Sequence, residues 1–276
     1  MKGAGAALRR HLGAMTAAAA KAGALLMRRY GQLQKRHIRM KSLNDFVTVV
    51  DKQSQDLIIR TLAAAFPAYG VRAEEGGVWN EREMMWVIDP LDGTSNYIHR
   101  FPQFCISIAL MRAGESLVGL IHDPLHRETF TAAKGKGAFL NGRRIAVSGI
   151  RAFRTAFVAT GFPYRMHGHF EPYHRSLRKV FYRTAGIRRG GSAALDLCYT
   201  ACGRFDGFWE FGLSLWDIAA GSLIVEEAGG QVTDFEGRKR HFENGNVAAG
   251  SPVAQRALVG ILKRIPEFRE ASRPRR

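Results

Sequence analysis

Trp86-Val87-Ile88-Asp89-Pro90-Leu91-Asp92-Gly93-Thr94-Ser95-Asn96 is the stretch whose reading decides what this chain is. It opens as a short apolar run, Trp86 to Ile88, with the character of a buried strand. The run meets a carboxylate at Asp89. Pro90 lacks an N–H and fixes its own φ, so the ladder is expected to stop there. A second carboxylate, Asp92, precedes Gly93, Thr94 and Ser95, small residues that suit a helix start and leave backbone N–H groups open. Two acids at a strand end beside such a helix start can hold divalent cations and a phosphate side by side. The cations need hard anionic oxygens, and the phosphate needs N–H donors at the positive end of a helix dipole.

Working outward, 276 residues accommodate one large domain or two modest ones, each able to bury a core. With 46% hydrophobic and 10% aromatic residues the chain is globular rather than disordered. Its net charge of +17 favours anionic partners: phosphorylated substrates, nucleic acid or acidic membrane. No apolar run approaches the roughly 20 residues of a membrane span. Cys105, Cys198 and Cys202 are too few for a disulfide framework, which points to a reducing, cytoplasmic compartment. Cys198 and Cys202 stand at i, i+4 without a second ligand pair and read as core packing.

Residues 1–44 hold ten Lys or Arg and no acid, as a transit peptide would. Leu8, Leu12, Met15, Ala19, Ala22 and Leu26 nevertheless repeat at helical spacing, with Arg10, Lys21 and Arg28 on another face, so an amphipathic helix of the mature protein is the better reading. Asp45 to Asp51 is a β-prone run ending in acid, and Asp51 opens a helix with Ile58, Ile59, Leu62 and Phe66 on one side, closed by Pro67. Val71 to Gly77 places Glu74 and Glu75 beside flexible glycines. Phe104–Met111, Leu117–His122 and Glu128–Ala132 read as strands of an antiparallel sheet, and Asn141-Gly142 as a hairpin turn. From about residue 150, strands at 155–160 and 208–211 alternate with helices at 171–181 and 191–202 and one opening at Trp216 that Gly229-Gly230 ends. This divides the chain into an α+β part, 1–148, and an α/β part, 149–276. His167 and His169 have no partner cluster and read as loop residues.

Asp51, Glu74, Asp89, Asp92 and Asp217 each stand at the edge of an expected element. Gathered without cations they would repel one another; with two or three divalent ions they would form a phosphate-accepting site, and oxygen-only ligands point to Mg²⁺ or Mn²⁺.

Asp89-Pro90-Leu91-Asp92-Gly93-Thr94 resembles the signature of the inositol monophosphatase family, and Trp216-Asp217-Ile218-Ala219-Ala220-Gly221 with Glu226 to Gly230 resembles its C-terminal signature. Asn44 to Thr48 with Asp51, the Glu74-Glu75 pair (preceded here by Ala73, where the family usually has Gly) and Arg189 to Leu197 extend the likeness over roughly residues 40–250. The resemblance implies an α/β fold, the layered αβαβα sandwich of the inositol monophosphatase and fructose-1,6-bisphosphatase type, in a lithium-sensitive homodimer. It implies Glu74, Asp89 and the Leu91 carbonyl around one metal, Asp89, Asp92 and Asp217 around a second, and a third near Glu74. Thr94, backed by Asp51, would deprotonate the nucleophilic water. Gly93 and Thr94 would cradle the phosphate, and Glu210 would contact a substrate hydroxyl, with Ser192 and Asp217 also on the substrate side. Lys41 approximates a family lysine near the site, and Gly161-Phe162-Pro163-Tyr164 resembles the substrate-side loop.

Two functions follow from these readings. One is a Mg²⁺-dependent phosphomonoesterase for a small polyol phosphate such as inositol 1-phosphate, with histidinol phosphate, fructose 1,6-bisphosphate, NADP(H) and 3′-phosphoadenosine nucleotides as alternatives. The other is a basic docking protein for RNA or the transcription machinery, to which bacterial members of that family have been linked. It draws on Arg143-Arg144, Arg188-Arg189 and Arg238-Lys239-Arg240.

Overall fold

The computed structural model describes residues 2–42, 45–163 and 170–271. Helix α1 (Lys2–Arg29) buries Met15, Ala19, Ala22 and Leu26 and turns Lys21 and Arg28 to solvent, as the stripe predicts. A hairpin of β1 (Ile38–Ser42) and β2 (Asp45–Thr48) leads into α2 (Val49–Ala65). The strand expected to reach Asp51 therefore ends at Thr48. Thr48 and Asp51 form a capping box that satisfies the first helical amides, which puts Asp51 inside the first turn.

One eight-stranded sheet comprises β3 (Gly70–Ala73), β4 (Gly77–Trp79), β5 (Met84–Asp92) and, after the short helix α3 (Thr94–His99), β6 (Cys105–Arg112), β7 (Glu115–Asp123), β8 (Glu128–Ala133), β9 (Ala138–Leu140) and β10 (Arg143–Ile145). Its order is β10-β9-β8-β7-β6-β5-β3-β4, antiparallel except for the β3–β5 pair. Pro90 does not end β5 as expected. The register shifts between Asp89 and Asp92, and Asp92 pairs opposite Cys105; an irregularity of this kind tolerates a residue without an N–H. Asn141 and Gly142 turn between β9 and β10 with φ of 48° and 77°, the left-handed pair a two-residue hairpin needs.

The second sheet is built from β11 (Phe157–Thr160), β12 (Gly186–Arg188), β13 (Gly207–Glu210), β14 (Gln231–Thr233) and β15 (Val247–Gly250), in the order β12-β11-β13-β15-β14. Among these strands run α4 (Phe170–Phe181), α5 (Ala193–Ala201), α6 (Leu215–Glu227) and α7 (His241–Asn244), with α8 (Pro252–Leu262) and α9 (Pro266–Ala271) closing the described chain.

Period-2 alternation sorts these strands into layers. Trp86, Ile88, Ile106, Ile108 and Leu110 share a core with α1 and α2, while Val87, Ala109, Met111 and Ile121 share one with α5 and α6. Phe208, Val247 and Ala249 of the second sheet join the α5–α6 core, and Val158, Trp209 and Ala248 pack with α4, α8 and α9. The architecture is a five-layer αβαβα sandwich whose middle layer, α5 and α6, serves both sheets. Gly119 lets α6 lie directly on β7: a Cβ there would stand 2.9 Å from the Ala220 carbonyl oxygen. The Ser107 and Ser116 hydroxyls donate to the Trp216 and Ala219 carbonyls at 3.2 and 2.8 Å, fixing the register of the helix on the sheet.

His241, at the start of α7, is buried, and that burial, with Lys239 adding, pushes its imidazole down to about 4. Unfolded, the ring titrates near 6.5, so between those values the unfolded chain binds the extra proton and stability is lost as pH falls. At pH 5 this amounts to about 2 kcal/mol relative to pH 7.5. Urea midpoints of the protein and of His241→Phe, compared at pH 7.5 and 5.0, should show the variant losing about that much less on acidification.

Candidate active site

The corner of β5 carries the chemistry. Asp89 is 2% exposed and Asp217, in the first turn of α6, 8%. Asp89, Asp92 and Asp217 bring carboxylate oxygens within 4.8 Å of one another. Each is steered by a donor from a different place. Asp89 Oδ1 accepts the Leu91 N–H at 2.9 Å across the Pro90 turn. Asp92 Oδ2 accepts Ser192 Oγ at 2.7 Å and the Ala194 N–H at 2.8 Å, from the N-terminus of α5. Asp217 Oδ2 accepts the Ser214 N–H at 2.7 Å as half of the α6 capping box. Burial, then the charges of Glu74, Asp92 and Asp217, push the Asp89 carboxyl well above the usual carboxylate range.

Glu74 follows β3, and its N–H donates to the Ile88 carbonyl at 3.1 Å, holding the turn beside β5. Gln55 of α2 grips the same turn. Its side-chain oxygen accepts the Glu75 N–H at 3.0 Å and its amide donates to the Glu75 carbonyl. Ser54 donates to the Pro90 carbonyl at 2.9 Å, so one helix face braces both acid-bearing turns. Neither residue was singled out from the sequence. The signal for Gln55 is its place at i+4 from Asp51, on the same side of α2.

Asp51 is fully buried behind Thr94. Its Oδ2 accepts the Thr48 N–H and hydroxyl at 2.9 and 2.5 Å, and the Thr94 hydroxyl lies 3.0 Å from both Asp51 Oδ1 and the Leu91 carbonyl. Burial raises the Asp51 carboxyl to about 6, against the hydrogen bonds from Thr48 and Thr94 that pull it down. Gly93 caps α3 at φ 90°, where a Cβ would meet the Gln103 carbonyl at 2.8 Å.

These groups line a cleft of about 350 Å³ that Glu74, Asp89, Leu91, Asp92, Gly93, Thr94, Glu210 and Asp217 share. Asp51 and Ser192 stand one layer behind it, Ser192 being 1% exposed with its hydroxyl on Asp92. Phe46, Phe162 and Arg189 also line the cleft, with the Arg189 guanidinium 5.3 Å from the centre of the Phe162 ring. Glu210 fits only because residue 161 is glycine, since a Cβ there would fall 2.0 Å from its carboxylate. Loss of solvent, with Asp196 and Asp217 close, pushes the Glu210 carboxyl up, and Arg189 opposes this. Tyr164, His167, Gly168, His169 and the side chain of Lys41 lie outside the described residues.

The acids fit a divalent cation. The donors are all hard oxygens, they are crowded, and Asp89 is destabilised as an anion by burial and by its acidic neighbours, a penalty that bound cations would relieve. An αβαβα sandwich with an acid corner between its sheets defines the inositol monophosphatase fold class. The sequence profile of the inositol monophosphatase family matches residues 8–267, and the chain belongs to that family. It is 43% identical to an inositol-1-monophosphatase of Mesorhizobium japonicum, over 92% of this chain and 96% of that one. It is 44% identical to the Nus factor SuhB of Pseudomonas aeruginosa, over 89% and 93%. The crystal structure of the extragenic suppressor protein suhB from Bartonella henselae superposes with a TM-score of 0.87, at 42% identity, over 92% of this chain and 98% of that one.

Because Gln55 holds the Glu74–Glu75 turn, Gln55→Ala should weaken any divalent-cation binding at these acids by about 10-fold while the fold persists. Calorimetric titration with Mg²⁺, alongside circular dichroism, measures both.

Proposed function

We propose that this chain is a Mg²⁺-dependent phosphomonoesterase that hydrolyses a small polyol phosphate, inositol 1-phosphate, to inositol and phosphate, with Mn²⁺ as a second usable cation. The observation that carries the reading is the convergence of Asp89, Asp92 and Asp217 within 4.8 Å beside the Gly93–Thr94 turn. Glu74, Asp89 and the Leu91 carbonyl would hold one cation, Asp89, Asp92 and Asp217 a second, and the surroundings of Glu74 a third. Bound there, divalent ions neutralise the acids, polarise the phosphoryl oxygens and acidify water.

The chain's own groups then have defined tasks. The N–H groups of Gly93 and Thr94 receive phosphate oxygens, and Glu74 orients the attacking water. The Thr94 hydroxyl accepts that water's proton and passes its own to Asp51 Oδ1, 3.0 Å away. With its carboxyl near 6, Asp51 is ionised at neutral pH yet basic enough to take part. As the water oxygen bonds to phosphorus, the ester P–O bond breaks, the leaving oxygen takes a proton from a solvent water to become the product alcohol, and the proton held by Asp51 returns to solvent. Glu210 accepts hydrogen bonds from the polyol hydroxyls and disfavours a second phosphate at that place. Ser192 acts through Asp92. Histidinol phosphate, fructose 1,6-bisphosphate, NADP(H) and 3′-phosphoadenosine nucleotides are the competing substrates. The family likeness supports extending this reading to a cytoplasmic, lithium-sensitive homodimer.

Phosphate release across those esters, with Mg²⁺ and with a chelator, tests the assignment. Inositol 1-phosphate should be turned over best, and only with the cation. Asp92→Asn should cost about 100-fold or more in kcat with its circular dichroism unchanged. Full activity in that variant would overturn the reading.

A second role is compatible with the first. The exposed Arg143, Arg144 and Arg188, together with the relatives named Nus factor SuhB, favour docking to RNA or the transcription machinery. The Arg238-Lys239-Arg240 cluster contributes less, because its members pair with Glu236, Glu226 and Glu243. An RNA contact of six or more phosphates should lose about 10³-fold in affinity between 50 and 200 mM salt. An affinity that stays flat over that range excludes it.

A further inference from the structure

Gln103, in the segment between α3 and β6, is approached from three sides. Its side-chain amide donates to Asp196 Oδ1 at 3.1 Å. Its carbonyl accepts Asn96 Nδ2 at 2.7 Å, and the same amide nitrogen of Asn96 lies 3.0 Å from the Gly190 carbonyl. Two glycines close in further. A Cβ on Gly190 would stand 1.9 Å from Gln103 Nε2, and one on Gly93 would stand 2.8 Å from its carbonyl oxygen. Asp196, 1% exposed, lies one turn along α5 from Ser192, and its N–H donates to the Ser192 carbonyl at 3.0 Å. Gln103 is therefore wedged between the turn that carries Gly93 and Thr94 and the strap from Arg189 to Ser192. One face of that strap lines the cleft, and its end is bonded to Asp92.

We propose that Gln103, locked by Asp196, is a positioning residue that sets the spacing between the Gly93–Thr94 phosphate cradle and the Arg189–Ser192 strap. The inference rests on the phosphomonoesterase reading above. It adds to that reading a determinant of substrate affinity that touches neither phosphate nor cation. A phosphate seated on the cradle and a polyol lying against the strap are bound together only if the two surfaces keep their distance. Loss of the wedge weakens that grip in the ground state and the transition state alike, which raises KM and leaves kcat nearly unchanged. Asp196 serves as an acceptor for the Gln103 amide, a task an asparagine oxygen also performs.

The test uses the full chain with Mg²⁺ and the variants Gln103→Ala, Asp196→Ala, the double variant and Asp196→Asn. Two readouts are taken: steady-state kinetics with inositol 1-phosphate, and calorimetric affinity for inorganic phosphate. Gln103→Ala and Asp196→Ala should each raise KM about 10-fold with kcat within about threefold, and weaken phosphate binding in parallel. The double variant should be no worse than either single, Asp196→Asn should be close to the parent protein, and Mg²⁺ affinity should not move. An unchanged KM in Gln103→Ala overturns the proposal. So do multiplying effects in the double variant, failure of Asp196→Asn to restore affinity, or a loss of Mg²⁺ binding. If the buried Asp196→Ala does not fold, Gln103→Ala against Asp196→Asn decides alone. Should the parent protein cleave none of the esters, the phosphomonoesterase reading falls, while the phosphate titrations still judge the wedge.

Discussion

Three carboxylates held within 4.8 Å in a mostly buried corner are an unfavourable arrangement, and the architecture around Asp89, Asp92 and Asp217 is the means of imposing it. At an effective dielectric of 20, two such charges at that separation repel by about 3 kcal/mol. The fold offsets part of this with fixed donors on each acid, taken from the Pro90 turn, the start of α5 and the start of α6. The remainder shows in the Asp89 carboxyl, which burial and then its acidic neighbours push well above its ordinary range. A corner that costs this much when bare is one whose native state cations would stabilise.

The middle layer makes the convergence possible. Because α5 and α6 share one core with both sheets, their N-termini are aimed from two sides at once, and the same helices that fill the interior deliver Ala194, Ser214 and Asp217 to the end of β5. Contact between α6 and β7 depends on the missing side chain at Gly119, and its register on the Ser107 and Ser116 hydroxyls. On the other side of the first sheet, α2 presents Asp51, Ser54 and Gln55 in succession to Thr94, Pro90 and Glu75. The cleft is thus clamped from both faces of one sheet.

Much of this could be read from the sequence, for identifiable reasons. The apolar run at Trp86–Ile88, the Asn141-Gly142 turn and the stripe of α1 are local signals that the structure repeats. Pro90 misled because proline breaks a regular ladder but not one whose register already shifts there. Asp51 belongs to the helix it was expected to open, but the strand before it stops at Thr48, which caps that helix with Asp51 as its N3 partner. Strands as short as β4, β12 and β14 are too brief to show a period of two, and β15, α8 and α9 lie past the last motif. Gln55 and Gln103 were missed for a different reason: beyond the i+4 spacing of Gln55 from Asp51, their side-chain amides reach partners 20 and 93 residues away, and no local pattern encodes that.

The electrostatics of the whole molecule bear on the order of events in the cleft. A net charge of +17 raises the local concentration of phosphate esters around the protein. Yet the cleft itself is lined by Glu74, Asp89, Asp92, Glu210 and Asp217, against which Arg189 is the one cationic side chain among its described lining residues. A phosphate dianion entering that bare corner would meet like charge at close range. The long-range attraction and the short-range repulsion are reconciled only if the acids are neutralised first. On the proposed reading, the basic exterior would gather the ester and the acidic interior would make its seating conditional on cations. That division follows from where the charges lie, whichever phosphate ester the cleft receives.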